Sequence, residues 1–203
     1  MICEPTDDDI LPYSKFMSEK TGAIIVRSQE SGLELISSFL DAIGIVDKTR
    51  HLNSFGVTLG VTVNLPFDLD KPTLGWSPRM KVRLIGHECV HVLQFLGKIL
   101  SMEHVKDPQA AFAWDYVHDQ ESRAFLEAEA YAADQEIAYQ LWGEEPDPSW
   151  VEESLRGAYA IAHPYAAFAK RLLDVRKRVT VTGNYSAPVT KHTVEFFKAR
   201  YAA

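Results

Sequence analysis

The 203-residue chain predicts an α+β domain, a small sheet packed on one buried helix with a mostly helical C-terminal half. Three observations lead there. Val57 to Leu65 alternates apolar with small polar residues, as a strand does. Ser77 to Leu96 is apolar on nearly every side, as a buried helix is. From Asp107 onward, caps and Pro or Gly stops mark out one helix after another.

Taken in order, residues 1–20 are polar, acidic and turn-rich and read as an arm, leaving 21–203 as a single domain. Gly22 to Arg27 reads as a short strand. Ser31 to Ile43 carries Leu33, Ile36, Phe39, Leu40 and Ile43 at helical spacing, with Gly44 as a stop. Val57, Leu59, Val61, Val63 and Leu65 form one face of the alternating strand, with Thr58, Gly60, Thr62 and Asn64 on the other, and Pro66 ends it. Ser77 as N-cap and Pro78 at the first helical position open the buried helix, which Gly97 stops. Asp107-Pro108 starts a short helix through Tyr116. A long one runs from about Asp119 to Trp142, with Leu126, Ala130, Ala133, Ile137 and Leu141 as its apolar stripe and Gly143 as its stop. Asp147-Pro148 opens a helix to about Ala162, Pro164 a longer one to about Arg178, and Val189 to Tyr201 the last.

Hydrophobic residues make up 46% of the chain and charged residues 24%, a globular composition. The net charge of -7 argues against a nucleic-acid partner, since phosphate contacts need clustered Lys and Arg. The densest basic run, Arg171 to Arg178, contains Asp174 and reads as a solvated helix face. Two cysteines, Cys3 and Cys89, make no disulfide framework. The acidic N-terminus lacks the features of a signal peptide, and no apolar run approaches the roughly 20 residues a bilayer requires. The expected setting is cytoplasmic, with no membrane partner.

The chemistry concentrates in Gly86-His87-Glu88-Cys89-Val90-His91. Spacing of four puts His87 and His91 on one helix face, one turn apart, where their imidazoles can share one Zn2+. Glu88, about 100° round the helix, can reach a zinc-activated water without binding the metal, as HExxH requires. It would act as general base and return the proton to the leaving amine. A catalytic zinc takes three protein ligands and leaves one position open. The pattern H-E-x-x-H-x-x-G-x-x-H is excluded, because Gln94 and Gly97 stand where its glycine and third histidine belong. The long helix offers Glu121, Glu127, Glu129 and Asp134 instead. Periodicity does not choose between Glu127 and Glu129, and His104, Asp107 and His118 compete.

Glu127-Ala128-Glu129-Ala130-Tyr131 resembles the E-x-x-A-D or E-x-x-A-N signature of the gluzincin type of HExxH zinc peptidases; the CAAX prenyl protease and ImmA/IrrE families carry similar helices. The likeness covers about 20 residues in two segments. It implies a zincin-like fold, with Glu127 as third ligand beside His87 and His91, and hydrolysis of a peptide bond in a protein or peptide substrate. Tyr131 departs from the pattern. It stands where the family has the acid or amide that orients a ligand histidine, and Asp134, one turn on, is the candidate substitute.

Tyr131, Tyr159, His163, Tyr165 and Arg171 are candidate donors to an oxyanion. The polar face of the 57–65 strand suits either pairing with an extended substrate or a wet sheet face. Cys3 is a remote candidate for an inhibitory thiolate, and His51 and His192 read as surface residues. The rival reading is a catalytically silent zincin-fold scaffold that keeps zinc for stability.

Overall fold

A computed structural model describes residues 4–27, 56–99, 102, 104–185 and 187–202. The helix expected over 31–43, with Cys3 and His51, lies outside the described residues. Among them the chain is α+β and mostly helical. Helices α1 (Asp7–Thr21), α2 (Pro78–Phe95), α3 (Pro108–His118), α4 (Gln120–Trp142), α5 (Val151–Ala158), α6 (His163–Thr180) and α7 (Pro188–Tyr201) surround a sheet of β1 (Ile24–Arg27), β2 (Val57–Leu59) and β3 (Thr62–Leu65). The sheet order is β1-β3-β2, with β1 parallel and β2 antiparallel to β3.

The caps act where their chemistry requires. Ser77 accepts from the Met80 amide at the start of α2. Asp119 accepts from the Glu121 amide at the start of α4, and Gly143, at φ 72°, ends that helix.

Three expectations need correction. The first is the N-terminal arm, because residues 7–21 are helix α1 and part of the core. Ile10, Tyr13 and Met17 are fully buried. Three acidic residues in the first turn suit the positive end of the helix dipole. Asp9 accepts from Tyr201 and Arg200 of α7, and Asp7 takes the ammonium of the buried Lys81 on α2 at 2.7 Å. That ammonium also donates to the carbonyls of Asp68 and Lys71, so its charge is fully partnered.

The second is the strand over 57–65, which is a hairpin. Gly60, at φ 62°, occupies the first position of a two-residue turn between Leu59 and Thr62, the conformation glycine supplies without strain. Cross-strand partners share a face, so Thr58 lies on the side of Val63, and Val57 on the side of Asn64. The fold-back thus turns Thr58 from the expected polar face onto the face packed over α2. The helix expected over 147–162 is also shorter, with Pro148 in the turn that precedes Val151.

Apolar burial falls in two clusters. The larger joins α1, β3, α2, α4 and α7 around Tyr13, Leu65, Ile85, Ile137 and Phe197. The smaller lies on the other side of α4, where Ala124, Ala128 and Ala132 meet Val151 and Leu155 of α5 and Ala166, Ala169 and Leu173 of α6. Helix α4 is therefore buried along most of its length, and its carboxylates need partners. No described helix is long and apolar enough to cross a membrane.

Candidate metal centre

Helices α2 and α4 pack against each other and set the site between them. His87 and His91, one turn apart, are each 4% exposed, and Glu127 of α4 is fully buried opposite them. One ligand atom from each lies within 4.8 Å of the others. His87 Nε2 is 3.5 Å from Glu127 Oε2, and His91 Nε2 is 3.4 Å from Glu127 Oε1. Both distances exceed an ordinary N–H···O bond.

The two carboxylate oxygens differ. Oε1 accepts the Tyr116 hydroxyl at 2.6 Å, whereas Oε2 is buried and accepts no hydrogen bond among the described residues. A buried carboxylate oxygen with no donor is costly, and a cation beside it removes that cost. Two imidazoles and one carboxylate with this orphaned oxygen are a donor set that fits a divalent metal.

The ring of His91 is set by Gln94, three residues on. The Gln94 amide donates to the Leu126 carbonyl and to Glu129 Oε2, each at 3.0 Å, which fixes its oxygen towards His91 Nδ1 at 2.8 Å. Nδ1 therefore donates to Gln94, and Nε2 is the atom left for Glu127 and a cation. Without a cation that position takes a proton. Burial opposes the imidazolium, but the Glu127 carboxylate outweighs it and pushes the His91 pKa up to about 9. For Glu127 burial again opposes charge, and His91 followed by His87 overcomes it, holding the carboxyl well below the usual range. The ring of His87 stands edge-on to Tyr131, with centroids 4.7 Å apart.

Glu88 stays outside this cluster. Thr58 of β2 donates to Glu88 Oε2 at 2.7 Å. Next to it, a Cβ at Gly56 would lie only 2.6 Å from Glu88 Oε1, so only glycine leaves room for the carboxylate as it lies. Two cavities meet at Gly56, Glu88 and Tyr159. One, of about 180 Å³, is walled by Val57, Leu59, Phe95, Phe112 and Val117. The other, of about 280 Å³, is walled by Trp76, Met80, Tyr131 and Trp150 with Arg83 and Asp134. Burial, then the charge of Glu127, raises the pKa values of Tyr116, Tyr131 and Tyr159, so all three phenols keep their protons at neutral pH. The Cys89 thiol is pushed by burial up to about 12 and is inert.

Of the residues singled out from sequence, His87, His91 and Glu127 converge, and Glu88 lies beside them. Glu129 bonds Gln94 and lies 3.7 Å from Arg176 instead. Asp134 is held by Arg83 in a two-pronged pair at 2.6 and 2.9 Å, which engages it away from the role of orienting a ligand histidine. Asp107 caps α3, and His104, His118 and Glu121 are exposed. Tyr131 and Tyr159 line the cleft. His163 instead pairs with Glu152, Tyr165 packs on the smaller apolar cluster, and Arg171 is exposed. The sequence does not reveal the parts played here by Gly56, Gln94 and Tyr116, nor that Thr58, read as part of a polar strand face, bonds Glu88. Gln94 carries a signal, its place one turn beyond His91 on the helix that holds both histidines.

Comparison with protein-family models, with curated proteins and with solved structures returned no match to this chain.

Proposed function

We propose that the protein is a zinc-dependent metallopeptidase of zincin-like fold and gluzincin type, with His87, His91 and Glu127 holding the metal and Glu88 as general base. The observation that carries this is the contrast between two neighbouring buried carboxylates. Glu127 sits among imidazoles with an unpartnered oxygen, while Glu88 stays clear of the cluster and faces both halves of the cleft.

When bound, zinc supplies Lewis acidity and lowers the pKa of a water towards about 7. The chain's own residues do the rest. Thr58 holds the Glu88 carboxylate at the junction of the cavities, where it takes a proton from the attacking water and passes it to the leaving amine. Tyr159, protonated and lining both cavities at the same junction, is the candidate donor to the developing oxyanion. A peptide lying across the junction would put side chains in the apolar cavity on one side and the aromatic, charged cavity on the other. Strand β2 is an edge of the described sheet and lines the apolar cavity, which suits main-chain pairing with an extended substrate.

The test is Glu88→Gln, assayed with wild type against a diverse peptide mixture read by mass spectrometry. The expectation is cleavage by wild type, a loss of about 10²–10⁴-fold in the variant, and unchanged zinc content. An active variant would remove Glu88 from its role. One observation favours the silent scaffold instead: Asp134 is committed to Arg83, and Tyr131 stands where the gluzincin signature has an acid or amide. Zinc-loaded wild type that cleaves nothing would support that reading.

A further inference from the structure

We infer that Tyr116 fixes how Glu127 serves the metal: its phenol occupies Oε1, so that Glu127 binds through Oε2 alone. This rests on the metal-binding reading above and extends it to a residue outside the motif.

The geometry is asymmetric in a way that the cluster alone does not require. Both oxygens of Glu127 face an imidazole at similar distance, 3.4 Å on one side and 3.5 Å on the other. Among the described residues only Oε1 has a hydrogen-bond donor, the Tyr116 hydroxyl at 2.6 Å, within the short range of a phenol bonded to a carboxylate. Oε2 has none.

Tyr116 is also held from behind. Its carbonyl accepts from Arg123 Nη1 at 2.9 Å, tying the last turn of α3 to the first turns of α4. Its ring stacks on Phe112 with centroids 5.6 Å apart and planes 26° apart. The Asp119 cap joins the two helices with no spacer, so Tyr116 and Glu127 approach across a rigid corner. A carboxylate with one oxygen tied down offers the cation a single donor atom. Three protein donors then leave room for a further ligand in a four-coordinate site. With Oε1 released, Glu127 could give both oxygens, and the site would move towards five-coordination.

The test uses full-length protein stripped of metal and titrated with Co2+ against a competing chelator, read by visible absorption. Tyr116→Phe keeps the ring and removes only the hydroxyl. The expected result is a loss of metal affinity of about 10–100-fold, the usual cost of removing a partner that orients a ligand. The absorption should also weaken and shift, as the coordination number rises. Equal affinity with the same spectrum would overturn the inference while leaving the metal site intact. Wild type that binds no Co2+ would remove the metal reading itself, and the inference with it. A second measurement compares infrared difference spectra of zinc-loaded against metal-free protein: the separation of the carboxylate stretches should change between wild type and Tyr116→Phe, and identical bands in the two proteins would contradict the inference.

Discussion

The two sides of α4 meet their neighbours by different chemistry. Towards α5 and α6 the helix presents Ala124, Ala128 and Ala132, small side chains that let apolar surfaces close over one another. Towards α2 it presents the buried Glu127 to two imidazoles, with one oxygen that accepts no hydrogen bond among the described residues. The first contact is complete as packing and gains from the removal of apolar area from water. The second is incomplete as packing, because a buried charge without full partners costs free energy. A helix self-sufficient on one side and deficient on the other is the contrast on which the proposal of a metal ligand there rests.

The difference can be broken from either side. The largest effect is expected from Glu127→Ala, which removes the proposed third ligand and should lower zinc affinity beyond the about 10–100-fold that losing a supporting partner costs. Competition titration measures it. Leu155→Ala, on the apolar side, should lower stability by about 2–5 kcal/mol in denaturant unfolding and leave zinc stoichiometry unchanged. A parallel loss of zinc would mean that the two sides are not independent. Glu129→Ala removes one acceptor that fixes Gln94, and should weaken zinc less than Glu127→Ala; the reverse order would reassign the third ligand. The smallest effect belongs to Ser77→Ala, which removes the cap of α2 and should cost about 1 kcal/mol with the metal retained.

The same contrast explains what could be read from the sequence. The bounds of α2 and α4 are legible because a side-chain cap or a left-handed glycine is a local device. The pairing of His87 with His91 is legible because helical spacing is local too. The choice between Glu127 and Glu129 is not, because both lie near the edge of one apolar stripe and only the approach of α2 separates them. Tyr116 is illegible for a similar reason: it meets Glu127 across a helix break, and no period links the two. The hairpin at 57–65 was hidden by Val61 in its turn, which prolonged the apparent alternation past Gly60. In α1 the buried positions Ile10, Tyr13, Ser14, Met17 and Thr21 do follow helical spacing, but three acidic residues and Pro12 disguised them as an arm.

The most direct test of the central claim is metal analysis of the purified protein beside a variant lacking both histidines, His87→Ala with His91→Ala. The account predicts about one zinc per chain in wild type and none in the double variant. Wild type without metal after exposure to zinc, or a double variant that keeps its zinc, would contradict it.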